Sequence, residues 1–453
     1  MKKKFFLLLL AAALPLLLSG CMMSASADDL YALPQLPEEY NALRTRLSEV
    51  LALGAEYAAP QTGANLPPVQ MVDLDGDGTD EALAFFRISS EERPLKIYIF
   101  QAVGEDYQQA AVIDGSGTSI HSVRYADLDG NGVQEIIVSW SVSAEIQALA
   151  VYALEDLEPV QMMSTPYARY EVVDLDGDGE DELMVLRSDE AESGGSLADY
   201  YDWDSAKSGF HLQSTARLSV PVGALQWMQV GNLQEGETAV FVTGREVGAD
   251  EASRAVTDIL VYKAPELTNI VMSSDTGVST QIFRNLNLPP TDINGDGAME
   301  VPKPAQLLSD SAEEPYWKIY WHSYDAGGTD QLQAITYHNL TDSWYLMIPE
   351  AWDGHFTVRQ NNASATVHST TFYAVYGRTA GEELLTIYTL TGTDREAQAS
   401  KGGRTILRRQ VKPDTVYAVT YGEGYSSWRY AMDPTALADN FKVIVNRWSM
   451  GEN

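Results

Sequence analysis

Cysteine occurs once in the chain, at Cys21, and histidine only six times in 453 residues. A single thiol excludes an internal disulfide framework. The histidines, His121, His211, His322, His338, His355 and His368, stand at no metal-ligand spacing. Cations are scarce too, with 30 Lys and Arg against 64 Asp and Glu and a formal net charge of −34. Phosphate binding needs clustered Lys and Arg, so nucleic acid is not an expected partner. Also missing are His-Glu-x-x-His, Gly-x-Ser-x-Gly, a phosphate-binding Gly-rich loop ending in Lys-Ser or Lys-Thr, and a cysteine nucleophile. Carboxylate pairs for glycosidase chemistry are too numerous among 64 acidic residues to be informative. The sequence therefore leans away from an enzyme and names no catalytic residue.

The N-terminus carries Lys2, Lys3 and Lys4 ahead of an apolar run from Phe5 to Leu18, the pattern of a secretory signal over residues 1–20. Leu18-Ser19-Gly20-Cys21 resembles the lipobox of bacterial lipoproteins, which implies acylation of Cys21 and attachment to a membrane. Residues 21–37 then read as a tether. The expected location is the bacterial cell envelope, facing away from the cytoplasm.

Between residues 38 and 58 an amphipathic helix is expected, with Leu43, Leu47, Val50 and Leu51 at helical spacing and Gly54 as its stop. It is expected to pack on its own domain. Beyond it the texture turns to short strands. Val69 to Val72 leads into Asp73-Leu74-Asp75-Gly76-Asp77-Gly78-Thr79-Asp80-Glu81, and Ala82 to Phe86 leaves it, followed by Leu95 to Phe100 and Gln109 to Ile113. The acidic loop returns at 127–135, 174–182 and 292–300. The gap from 174 to 292 is about twice the others, and Val230 to Val242 fits there as a degenerate copy that keeps the glycine and the strand but has lost the aspartates. Four strands at a period near 50 residues is the signature of a β-propeller blade.

Oxygen side chains at positions 1, 3, 5 and 9 of each loop, with glycine at 6, suit a hard cation such as calcium. The glycine lets the backbone reverse so that the carbonyl at position 7 can also face the ion. The candidate ligands are Asp73, Asp75, Asp77, Thr79 and Glu81; Asp127, Asp129, Asn131, Val133 and Glu135; Asp174, Asp176, Asp178, Glu180 and Glu182; and Asp292, Asn294, Asp296, Ala298 and Glu300. An EF-hand would need a glutamate at position 12 and a following helix. That position holds Ala84, Val138, Val185 or Lys303, and β-type runs follow the first three loops. Asn131 and Asn294 lower the charge of their loops and with it the expected affinity.

These loops, each opening an apolar strand, resemble the FG-GAP/VCBS repeats of integrin-type β-propellers found in many secreted bacterial proteins. The resemblance covers roughly residues 60–335 and implies about four structural calcium ions, with none at Gly231 to Ala239. With the lipobox, the whole resembles a VCBS-repeat bacterial lipoprotein.

Residues 21–339 carry 16 basic and 52 acidic side chains, whereas 340–453 carry 11 and 12. That break marks an expected domain boundary. The expected fold is mainly β: a propeller of about five blades over 59–337, with six or seven as alternatives, then a small α+β domain over 338–453. In that domain Trp344 to Pro349, Thr371 to Tyr376, Leu384 to Leu390 and Thr415 to Tyr421 read as strands, and Thr435 to Trp448 as a closing helix. The aromatic cluster of Trp317, Tyr320, Trp321, Tyr324, Tyr337, Trp344, Tyr345 and Trp352 is expected to form interdomain core, with sugar stacking or partner anchoring as its alternative use. The function expected is a calcium-stabilised binding, adhesion or scaffold module for an extracellular protein or glycan. A carbohydrate-active enzyme with its site in the propeller channel, or an accessory subunit of an envelope complex, are the competing classes.

Overall fold

The computed structural model describes residues 40–444 apart from 116, 144–145, 156–157, 190, 192–194, 208, 248–252, 285–287 and 310–314. The expected signal segment, Cys21, the tether and Trp448 lie outside the described residues. The molecule is mainly β and propeller-like, with six antiparallel sheets following one another in chain order.

The second strand of each blade explains the order. Glu81–Arg87, Glu135–Ser141 and Glu182–Ser188 carry nearly unbroken apolar runs rather than alternating ones, and Thr238–Val247 carries a shorter one from Ala239 to Val242. A strand of this kind is buried on both faces. Leu83 and Phe85 pack toward Ile136, Val138 and Trp140 of the second blade. Ile137 turns the other way, toward Leu183 and Val185 of the third. Met184 and Leu186 meet Val240 and Val242 of the fourth, whose Phe241 meets Val301 and Tyr324 of the fifth. Each interface thus uses alternate residues of one strand.

The first blade comprises Val69–Val72, Glu81–Arg87, Leu95–Val103 and Asp106–Gly115, with Glu56–Tyr57 extending its inner edge. Its remaining face, carrying Ala82, Ala84, Phe86 and Phe100, is covered by helix α1, Asn41–Ala52, through Leu43, Leu47 and Val50. The expected amphipathic helix thus exists, and it occupies the place where another blade would pack. Arg46 adds a hydrogen bond to the Tyr107 carbonyl. Among the described residues, no helix is long and apolar enough to cross a membrane.

The degenerate copy forms a full blade from Leu225–Asn232, Thr238–Val247, Ser253–Lys263 and Glu266–Asn269. The fourth acidic loop leads into a strand as well, Val301–Gln306, despite Pro302 and Pro304. That strand lies at the edge of its sheet, paired only with Trp317–Tyr324, where a missing N–H costs no ladder bond.

The C-terminal half differs from expectation in two respects. The boundary placed between 337 and 338 falls inside the strand Asp330–Asn339, and Trp344–Ile348 extends the same fifth sheet. Charge changes there, but the sheet continues. The expected closing helix ends early: α2 spans Pro434–Asn440, after which Phe441–Val443 pairs with Trp344–Ile348. The apolar side chain of Phe441 enters the core beside Trp344 and Tyr417, and strand pairing there outweighs helical spacing. The sixth sheet, built on Phe356–Asn361, Val367–Tyr376, Thr379–Leu390, Thr415–Tyr421 and Thr405–Gln410, packs on the fifth. Most of the aromatic cluster is core: Trp321, Tyr324, Tyr337, Trp344 and Trp352 are buried, while Trp317, Tyr320 and Tyr345 are half-buried.

Truncating Leu47 to alanine removes the centre of the α1 contact. A destabilisation of about 2–5 kcal/mol is expected, the range for buried leucines. Urea unfolding checks it, and an unchanged midpoint would show that α1 does not seal the first blade.

Candidate metal centres in the acidic loops

Each acidic loop joins the first strand position of its blade to the second, and its ends pair: Val72 with Glu81, Ala126 with Glu135, Val173 with Glu182 and Thr291 with Glu300. The same hydrogen bonds recur inside. The first aspartate accepts from two backbone N–H groups, as Asp73 does from Gly76 at 2.9 Å and Gly78 at 3.0 Å. Asp174 and Asp292 repeat this with Gly177 and Gly179 and with Gly295 and Gly297. Asp127 accepts instead from Asn131 and Gly132. The fifth-position side chain takes the N–H of Thr79, Val133, Glu180 or Ala298. Gly78, Gly132, Gly179 and Gly297 all have φ between +87° and +94°, which a side chain would strain.

The ninth-position glutamate is the centre of each loop. Its Oε2 accepts the N–H of the second residue: Leu74 at 3.0 Å, Leu128 at 2.7 Å, Leu175 at 2.8 Å and Ile293 at 2.9 Å. Those apolar residues are buried and pin the loop to the core. Glu81, Glu182 and Glu300 are at most 1 % exposed, and the Oε1 of each has no hydrogen-bond partner in the protein. A buried carboxylate oxygen left this way is costly unless something positive meets it.

The loops bring the expected acids together. One oxygen from each of Asp174, Asp176, Asp178 and Glu182 lies within 4.8 Å of the others, and so do Asp73, Asp75 and Glu81; Asp127, Asp129 and Glu135; and Asp292, Asp296 and Glu300. These clusters could hold metal ions, and a loop of oxygen donors is the donor set of a hard cation. Burial raises the glutamates, with repulsion from the aspartates adding to it: Glu135 and Glu300 to about 7 and Glu182 to about 8. The two asparagines act as their chemistry requires. Asn131 donates its amide to Asp129 at 2.9 Å and Asn294 donates to Asp296 at 2.8 Å, placing a donor among the acceptors.

The short loop of the fourth blade shows what replaces the metal design. Asn232 pairs with Thr238, three residues closer than the acidic loops require. Leu233, buried like Leu74, gives its N–H to the backbone carbonyl of Glu237 at 2.8 Å. A main-chain turn thus does the work of the ninth-position glutamate.

The five loops lie along one rim; the first touches the second, the second the third, and the fourth the fifth, while a recess separates the third from the fourth. Gln134 N–H reaches the Leu74 carbonyl at 2.9 Å, and Met299 N–H reaches the Asn232 carbonyl at 2.8 Å. A β-carbon on Gly76 would stand 2.6 Å from the Gly132 carbonyl oxygen, and one on Gly130 would meet the Glu180 carboxylate. Sequence reasoning missed Tyr200 and Asp202, which the third strand of the third blade brings to the third loop. Nearby charges reinforce burial in raising Tyr200, and the loop acids help raise Asp202. No local pattern in the sequence marks them. The histidines do not gather: His368 pairs with Asp342 at 2.6 Å, His322 with Asp330 at 2.5 Å, and His355 with Tyr430 at 3.1 Å.

A pH dependence follows from the raised glutamates. In ion-free protein each binds its proton more tightly folded than unfolded, so the stability these glutamates contribute is fully present below about pH 4.5 and is lost as pH rises toward about 8. Calcium reverses the balance by favouring the ionised form. Melting of resin-treated protein across this window should show a falling Tm, with the gain from added calcium growing in parallel; a flat ion-free profile would contradict it.

Residues 73–138, the first two loops and the strands between them, match the profile of the FG-GAP-like repeat. No curated protein matches the chain. Repeats of this kind suggest a β-propeller binding or scaffold module, and this segment of the chain is similar to them.

Proposed function

We propose that the protein is a lipid-anchored module of the bacterial cell envelope, whose blades are braced by calcium in the four acidic loops and which binds or scaffolds an extracellular protein or glycan. The observation that carries this reading is the buried, unpartnered Oε1 repeated at Glu81, Glu182 and Glu300, each beside two or three aspartates. Glu135 completes the set. The carbonyls of Thr79, Val133, Glu180 and Ala298 are the proposed further ligands. Calcium suits these loops better than magnesium, which demands strict octahedral geometry and keeps its waters. The calcium is structural, because every acidic loop closes onto a buried apolar residue, Leu74, Leu128, Leu175 or Ile293. The anchor rests on the lipobox resemblance at Leu18 to Cys21 and on Cys21 being the one cysteine in the chain.

Melting with calcium against EGTA tests the bracing. Each site loaded at one hundred times its dissociation constant adds about 2.7 kcal/mol, so the Tm should rise by several degrees. An unchanged Tm removes the calcium reading. The anchor is tested by Cys21→Ala in the native cell: incorporation of a clickable fatty acid should vanish and the protein should move from the membrane fraction to the soluble one. Retention of label would assign the lipid elsewhere.

A further inference from the structure

The binding reading leaves open which surface binds what. A cleft of about 640 Å³ lies between the second and third blades. Its volume is that of small-molecule sites, about 300–1,000 Å³. It lies on the rim opposite the acidic loops: Gln147 begins its strand there, Tyr167 ends one, and Arg187 is at the far end of the strand that Glu182 opens.

The wall is built rather than incidental. Asp199 is fully buried and holds the Arg187 guanidinium in a fork, Nε to Oδ2 at 2.5 Å and Nη2 to Oδ1 at 3.3 Å. Thr215 also donates to Asp199, at 2.8 Å. Arg187 Nη1 reaches the Ser188 carbonyl at 3.3 Å. A guanidinium has five N–H donors, so two remain after these bonds, in a plane fixed by a buried partner. Beside it stand the Gln147 amide and the rings of Tyr167 and Tyr201, while Leu212, 47 % exposed, leaves an apolar surface open to solvent. The cleft continues past Gln147, Tyr167 and Ala168 into a smaller recess that reaches His121.

Charge decides the ligand class. Among the described residues Arg187 and Asp199 are the charged pair of the cleft lining and they cancel, and the adjoining recess likewise holds one cation and one anion, Arg169 and Glu171. The surrounding chain carries −34, which repels anions, and the cleft offers no uncompensated carboxylate to attract a cation. The strands carrying Arg187, Asp199 and Tyr201 are paired on both edges, so a peptide could extend only the outer strands Glu158–Tyr167 and Gly209–Leu218, and Pro166 on the first of these carries no N–H. What remains is an uncharged ligand with many hydroxyls and apolar C–H faces. Planar polar side chains meet the hydroxyls and tyrosine rings meet the C–H faces. We infer that this cleft binds a neutral saccharide chain. The inference rests on the binding-module reading above and names its site and ligand class.

Gly223 provides a clean test. It lines the cleft, its φ is ordinary, and a β-carbon there meets nothing within 4 Å. Gly223→Trp therefore fills the cleft without disturbing the backbone, and Gln147→Ala removes one polar contact independently. Calcium-loaded full-length protein is titrated calorimetrically with tetrasaccharides of glucose, xylose, mannose and N-acetylglucosamine, and with a galacturonate tetramer as the anionic comparison. The expected result is binding of a neutral probe, weakened about tenfold or more by Gly223→Trp and measurably by Gln147→Ala, with Tm unchanged. The inference is overturned if no neutral probe binds, if only the uronate binds, or if neither variant weakens binding. Calcium-dependent melting and membrane retention are read separately, so failure here with those intact removes the cleft assignment and leaves the scaffold reading in place.

Discussion

A glutamate oxygen with nothing to bond to is the constraint on which the blades depend. In each acidic loop the ninth-position glutamate ties down the second residue with one oxygen, and the aspartates crowd its other side. Coulomb repulsion at such separations is weak in water and strong where the glutamate is buried. Folding these loops without a cation therefore means either keeping protons on the glutamates or tolerating the repulsion. The fourth blade shows the third way out, a loop three residues shorter whose backbone supplies the acceptor. Its existence shows that the blade geometry does not itself require a metal, and that the acidic loops retain their carboxylates for another reason.

The loops also share one rim. Glycines at Gly76 and Gly130 let neighbouring loops come into direct contact, closer than any side chain would allow. Order imposed on the first loop can thus be passed to the second through main-chain contacts, as from the fourth to the fifth. On the opposite rim the second and third blades part to leave the cleft around Arg187 and Asp199.

How much of this was legible follows from the range of the interactions. The acidic loops and the strands they open were readable because their residues are contiguous and their backbone needs glycine at fixed places. The degenerate blade was readable from its spacing. Tyr200 and Asp202 were hidden, since they reach the third loop from a strand some 20 residues away and nothing local marks them. The strand Val301–Gln306 was hidden by two prolines that only an edge position tolerates. Phe441 sat at helical spacing with Leu437, yet its partners Trp344 and Tyr417 lie far off in sequence. The cleft was invisible altogether, because Arg187, Asp199 and Gln147 acquire meaning only when two blades meet.

Helix α1 on the first blade has a consequence for how the chain assembles. Each sheet's hydrophobic partner is the preceding or following one, and the first sheet's outer face is satisfied by residues just upstream of it. A ring would have to wait for its last blade before burying the face of its first, at the entropic cost of closing a loop of several hundred residues. Here the first blade is sealed as soon as it forms, and each later blade adds to a finished surface. Contacts of short sequence separation fold fast and leave little apolar surface exposed on the way. Growth can therefore proceed blade by blade from the N-terminus as the chain is delivered, and among the described residues only Phe441–Val443 returns to pair with a sheet laid down earlier.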